Sequence, residues 1–249
     1  MTDIYVFNLN YGRFLPSCLA SIKKQNLDAV LLDGGSTDDS VEIAERFKVP
    51  VLTFDRDLGK RFNFAIDKFD SEYLLFLASD NILVEGFVER AEKFLNSHPK
   101  HGVAYGYAIP IDENGNRKGV FLHGGIFFKD RLHYSNFIDC SEALIRRESL
   151  KGMKMPSSFY LPDWYMWLYA SQNWKFKNLF KPSILYRFHK KQLSKTLPTE
   201  VWTKDHILIH SMFGKDKYHL LNTIVKVLHR SFQTSLDVVA GYGQRKTLH

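Results

Sequence analysis

The 249-residue chain is poor in the features that mark several protein classes. Two cysteines, Cys18 and Cys140, are too few for a disulfide framework or a cysteine-built metal centre. No apolar run approaches the roughly 20 residues that span a bilayer. The first residues, Met1-Thr2-Asp3-Ile4, lack the basic-then-apolar pattern of a secretory signal. Neither G-x-G-x-x-G nor a P-loop is found, which argues against hydride transfer and P-loop hydrolysis. These absences make a reducing cytosol the simplest compartment.

What is present is a chain long enough to bury a real core as one large α/β domain or two small ones. Aromatics are abundant, with twenty Phe and twelve Tyr. The charge of +7 is uneven. Residues 1–115 hold 12 Lys/Arg against 18 Asp/Glu, whereas residues 116–249 hold 22 against 9. The second half is therefore expected to face something anionic: a membrane surface, a phosphorylated substrate or nucleic acid. Scattered basic residues and the lack of a nucleic-acid motif argue against the last.

Strand and helix signals alternate over the first hundred residues. "DIYVFNL", "LDAVLLD", "VPVLTF" and "EYLLFLA" read as buried strands. Between and after them, "LPSCLASIKKQ", "STDDSVEIAERF", "RFNFAIDKF" and "VEGFVERAEKFL" read as helices, the second opened by an N-cap cluster with Asp39 three residues before Glu42. This order predicts a parallel sheet with right-handed crossovers. Beyond Pro99, "VAYGYAIPIDENGNRKGVFLHGGIFF" predicts an antiparallel hairpin turning at "ENGN". "DWYMWLYASQN" reads as a helix, "SILYRFH" as a strand, and two helical stretches close the chain. The expected organisation is a domain over 1–199, with a nucleotide-binding half (1–99) and an acceptor half (100–199), and a helical extension over 200–249.

Ligands of open α/β sheets bind outside the carboxyl ends of the strands. Two predicted strands end there in aspartate, "AVLLD" at Asp33 and "YLLFLASD" at Asp80. Taken singly, each reads more readily as a turn or cap residue. Repeated in β-α order, they read as a site whose carboxylates could accept from a nucleobase or bind a hard cation. Gly34 and Gly35 in "DGGSTDD" either admit a ligand close to the backbone or make a tight turn.

"FNLNYGRFLPSCLASIKKQ", "LLDGGSTDDSVEIAERF", "DLGKRFNFAI", "EYLLFLASDN" and "DWYMWLYAS" resemble, in order and spacing, motifs of the family 2 glycosyltransferases of the GT-A fold. The resemblance covers about the first 195 residues. It implies an α/β, Rossmann-like, mostly parallel sheet flanked by helices. It also implies inverting sugar transfer from a nucleotide-diphosphate donor, UDP-linked by default, assisted by Mn²⁺ or Mg²⁺, to a saccharide or lipid-linked acceptor. By the same resemblance, Asn8, Asp33, Gly35, Arg61 and Ser79 belong to the nucleotide site. Asp80 is the metal carboxylate of the Asp-x-Asp motif and Asp163 the catalytic base. Arg187 and His189 in "YRFHKKQLS" approach the diphosphate or metal. The chain departs from the family pattern at Ala78 (first Asp of Asp-x-Asp), at Pro162 (the acidic residue before the base) and in a short Gly59–Asn63 stretch.

One positioned carboxylate acting as base contributes about 10²- to 10⁴-fold, and a divalent cation neutralises a departing diphosphate. Asp163 alone reads equally as an N-cap, and Trp164, Trp167 and Leu168 read as core at helical spacing. Two other readings share the fold: a sugar nucleotidyltransferase, and a non-catalytic nucleotide-sugar-binding protein. The missing Gly-rich activating loop argues against the first, and Asp80 together with Asp163 against the second. In the tail, Leu221, Ile224, Val225, Leu228, Phe232 and Leu236 form one helical stripe opposite Lys226 and Arg230. That stripe either packs on the domain or rests on an anionic membrane, which would hold a cytoplasmic enzyme at the inner face.

Overall fold

The computed structural model describes residues 2–68, 71–120 and 129–213. The chain divides into two compact units, Met1–Gln192 and Leu193–His249. The first begins with the expected alternation: β1 (Thr2–Asn8), α1 (Leu15–Lys23), β2 (Ala29–Asp33), α2 (Ser40–Arg46), β3 (Val51–Thr53), α3 (Leu58–Asp67), β4 (Tyr73–Ala78), β5 (Ile82–Leu83) and α4 (Phe87–Ser97). It continues with β6 (His101–Ile111), α5 (Lys129–Tyr134), β7 (Ala143–Arg146), α6 (Pro162–Ala170) and β8 (Lys175–Arg187). The second unit contributes α7 (Leu193–Thr196) and α8 (Thr199–Phe213).

One eight-stranded sheet runs in the order β3-β2-β1-β4-β7-β6-β8-β5. The strands β3, β2, β1 and β4 are parallel, with Asn8 beside Asp33 and Phe7 beside Ala78. Strand β7 is antiparallel to both β4 and β6, so β6 and β8 run in the direction of β4. The carboxyl ends of β1, β2 and β4 thus share one edge, and the site residues of three separate motifs gather there. Parallel central strands buried on both faces need continuous apolar sequence, and "YLLFL" in β4 is buried at all five positions. Leu15, Cys18, Leu19 and Ile22 of α1 and Phe87, Val88, Ala91 and Leu95 of α4 bury their stripes against this sheet.

Two local expectations are revised. Strand β6 does end in the "ENGN" turn, where Asp112 Oδ1 accepts from the amides of Asn114 (3.0 Å) and Asn116 (2.8 Å). Its ladders, however, are with β7 and β8, and the return strand is a single bridge, Ile111 to Arg117, among the described residues. The rest of that predicted strand, like the Leu221–Leu236 stripe, lies outside them. At the start of α2, Asp39 occupies the cap position without a side-chain bond. Asp38 serves instead, accepting from the Ser40 amide (3.1 Å) and, across the β1–α1 loop, from the Gly12 amide (2.9 Å). The neighbouring aspartate has the better geometry because it also ties two loops together.

Candidate active site

Asn8 and Asp33 end adjacent strands, and their side chains meet. The Asn8 amide donates to Asp33 Oδ1 (2.9 Å) and Ser36 Oγ (3.0 Å), and its Oδ1 accepts from the Ser79 hydroxyl (2.7 Å). Asp33 Oδ1 also accepts from Ser36 Oγ (2.6 Å), and its Oδ2 from the amides of Gly35 (2.9 Å) and Ser36 (2.7 Å). A buried carboxylate without such donors is costly; here four bonds close the strand-to-helix turn. Gly35 sits at φ +82°, a left-handed conformation that a Cβ disfavours. At Gly34 a Cβ would lie 3.1 Å from Arg61, so the close approach foreseen at this glycine is made by the protein's own guanidinium.

Arg61 projects from α3 under this turn, almost fully buried. Its Nη1 donates to the carbonyls of Asn8 (3.0 Å) and Leu32 (3.3 Å), and the cation lies 5.7 Å from the centre of the Phe7 ring. Burial lowers its pKa. Its Nε has no hydrogen-bond partner among the described residues. Asn8, Asp33, Gly35, Arg61 and Ser79, assembled from four elements, thus form one cluster.

The second cluster centres on Asp80, two residues past the end of β4. His189 Nε2 lies 2.9 Å from Asp80 Oδ2, both side chains being buried. The imidazole is wedged between Tyr11 and Phe14, with ring centres 5.0 and 4.8 Å away. Arg187 is 3% exposed and wholly engaged inside the protein. Its Nε donates to the Asp80 carbonyl (3.0 Å), Nη1 to the carbonyls of Asp112 (3.1 Å) and Glu113 (3.0 Å), and Nη2 to Ser17 Oγ (3.2 Å). The Asn81 side chain accepts from the Arg187 amide (3.1 Å). Arg187 therefore clamps the Asp80 loop to β8 and to the turn after β6.

The 2.9 Å between Asp80 Oδ2 and His189 Nε2 is a hydrogen-bond distance, and the carboxylate is the donor type that Mg²⁺ or Mn²⁺ takes. No group of three or more His, Cys, Asp or Glu side chains suited to a metal is found among the described residues.

Asp163 lies in the first turn of α6, after Pro162. Its Oδ1 accepts from the Trp164 amide (2.8 Å) and its Oδ2 from the Asn136 side chain (2.7 Å). Burial, reinforced by the charge of Asp139, pushes its pKa up to about 7. A short 3-10 turn, Cys140–Glu142, connects it to the strand edge. Asp139 Oδ1 caps this turn through the Ser141 amide (2.8 Å), and Ser141 Oγ accepts from the Ala78 amide (3.2 Å) and the Asn81 side chain (3.3 Å). Trp164, Trp167 and Leu168 are core, as expected. Sequence reading missed Asn136, Asp139 and Ser141. "DCSE" carries a capping signal, but the link from Asn136 to a residue 27 positions away leaves no local trace.

Residues 3–153 match the glycosyl transferase family 2 profile. A PGL/p-HBAD biosynthesis glycosyltransferase of Mycobacterium bovis is 33% identical over 178 residues, which cover 66% of this chain and 67% of the relative. Among solved structures, S. aureus TarS 1–349 in complex with UDP-GlcNAc superposes with a TM-score of 0.70 at 19% identity, covering 93% of this chain and 72% of that one. The mannosyltransferase PcManGT of Pyrobaculum calidifontis, in complex with GDP-Man and Mn²⁺, gives 0.63 at 12% identity over 100% of this chain and 80% of its own. These two likenesses establish the GT-A fold, and the profile match over most of the chain establishes the family: the chain belongs to the family 2 glycosyltransferases.

Proposed function

We propose that the protein transfers a sugar, with inversion at the anomeric carbon, from a nucleotide-diphosphate donor to a hydroxyl of a saccharide or lipid-linked acceptor. The reading is carried by the pairing of Asp80 with His189, with an Asp163 carboxyl raised to about 7 in support. In this reading Asn8, Asp33, Gly35, Arg61 and Ser79 shape the nucleotide pocket. Asp80 and His189 would hold Mn²⁺ or Mg²⁺, which when bound neutralises charge on the leaving diphosphate. Arg187 acts through Asp80, by fixing its carbonyl, more than by touching phosphate.

Asp163 takes the proton of the acceptor hydroxyl as its oxygen attacks the anomeric carbon from the face opposite the diphosphate. The bond to the nucleotide diphosphate breaks, and the proton remains on Asp163 until solvent removes it. A base with a pKa near the working pH combines a populated charged form with real proton affinity. The mycobacterial relative's name supports a glycoconjugate acceptor, and the TarS complex supports uridine as the first nucleotide to try. No helix among the described residues is long and apolar enough to cross a membrane. Contact with an anionic leaflet rests on the Leu221–Leu236 stripe and the basic second half.

A thermal-shift screen of nucleotide sugars with and without Mn²⁺ tests the donor, since a ligand of the folded state raises its melting temperature. Metal-dependent stabilisation by one nucleotide sugar is expected. Stabilisation by none, or retained anomeric configuration in the product, overturns the reading.

A further inference from the structure

A donor diphosphate needs positive charge, yet the arginine beside Asp80 is committed to the protein itself. Arg187 uses Nε, Nη1 and Nη2 on backbone carbonyls and the Ser17 hydroxyl. Arg13, on the β1–α1 loop, is paired with Glu113 in the turn after β6 (2.7 Å). Two other cations stand on the turn that leaves β8. Lys190 and Lys191 follow directly on His189, both are exposed, and neither ammonium has a hydrogen bond or ion pair among the described residues. Solvated lysines on a surface turn are ordinary; this pair differs in that its backbone is held. The Tyr11 hydroxyl donates to the Lys191 carbonyl (2.9 Å), and the Tyr11 ring stands edge-on to the His189 imidazole with centres 5.0 Å apart. The buried Gln192 side chain donates to the Arg187 carbonyl (2.7 Å) and accepts from the His189 amide (3.3 Å). A turn tied at residues 187, 189 and 191 thus carries two uncommitted charges beside the imidazole that meets Asp80 (2.9 Å).

We infer that Lys190 and Lys191 supply the cationic contact to the diphosphate of the donor, the part that Arg187 leaves open by bracing the Asp80 loop. The inference rests on the proposed nucleotide-diphosphate donor. A buried guanidinium cannot turn to a ligand without leaving its carbonyl acceptors unpaired. A lysine ammonium binds phosphate as a point charge on a flexible four-carbon stem, so a fixed backbone with free head groups suits a ligand that enters and leaves. Negative charge on the diphosphate grows as its bond to the anomeric carbon breaks, which makes cations at that end stronger partners in the transition state than in the bound donor. The placement also gives a use to part of the basic second half of the chain, where 22 Lys/Arg stand against 9 Asp/Glu over residues 116–249.

The test is calorimetric titration of the full-length protein with UDP and with GDP, in Mn²⁺ at low salt. Binding of at least one of them by the wild type is expected. Affinity for that nucleotide should fall about tenfold in the Lys190→Gln/Lys191→Gln double variant, as suits two charge contacts open to solvent. The Lys190→Arg/Lys191→Arg variant keeps both charges and should stay within about twofold of wild type. Lys175 and Lys177 are exposed at the amino end of β8, away from the carboxyl edge of the sheet. Lys175→Gln/Lys177→Gln removes the same charge there and should leave affinity unchanged. Salt screens exposed contacts, so the gap between wild type and the Lys190→Gln/Lys191→Gln variant should close near about 1 M NaCl. Equal affinity of those two at low salt overturns the inference and leaves the nucleotide reading standing. So does a loss that arginine fails to restore, or one that the β8 control shares. Binding of neither nucleotide by the wild type removes the reading and the inference together.

Discussion

At the end of β2, Asp33 accepts four hydrogen bonds from two side chains and two backbone amides. At the start of α6, Asp163 accepts two, lies beside another carboxylate, and has a pKa raised to about 7. Asp33 is buried and matched by donors, whereas Asp163 is part-exposed and held by fewer. The contrast separates the two halves of the candidate site. On the proposed reading, the edge at Asp33 shapes the nucleotide pocket and Asp163 serves as the base.

The comparison is broken most directly at Asp163. Replacement by asparagine should lower kcat by about 10²- to 10⁴-fold while leaving nucleotide affinity unchanged, as calorimetry beside a turnover assay would read. In the wild-type protein, kcat/KM should rise about tenfold per pH unit up to about pH 7 and then level, because only the charged carboxylate accepts a proton. The next largest effect is at the donor edge, where Asp80→Ala should remove the Mn²⁺-dependent part of nucleotide binding, a loss of about 100-fold. Equal affinity with and without Mn²⁺ in the wild type would sink the Asp80–His189 assignment.

Smaller effects sharpen the same comparison through stability. Gly35→Ala places a Cβ at φ +82° and should cost about 1–2 kcal/mol, read as a lower denaturation midpoint. Asp163→Asn should act in the other direction. The folded pKa of Asp163 is raised above its unfolded value, so the native state binds the extra proton and loses stability as pH rises through about 7. The asparagine variant, neutral throughout, should therefore melt higher than wild type above pH 7 and match it near pH 4. An active site that is less stable than its inactive variant is the expected mark of a base kept short of donors.

Much of the donor edge was legible from sequence because its elements are local and periodic. Apolar runs closed by Asp33 and Asp80 predict strand ends, and the parallel β-α order predicts that both ends lie together. After Pro99, alternating apolar residues and a turn signal specify a strand and its turn but not all of its neighbours. Among the described residues β6 pairs with β7 and β8, whose register depends on residues 38 to 76 positions away. Asp38 likewise displaced Asp39 as the capping residue because a second loop, at Gly12, lay within its reach.

By itself, then, the sequence determined the strand and helix order, the two aspartates at one edge and the tryptophan stripe of α6, all set by patterns within a few residues. Tertiary structure decided which distant residues reach the three acids. Pairing of Asp80 with His189, the bond from Asn8 to Asp33 and the charge of Asp139 acting on Asp163 join residues 109, 25 and 24 positions apart. A carboxylate's behaviour depends on the donors, charges and water within a few ångströms of it, and those neighbours are chosen by folding, not by sequence proximity.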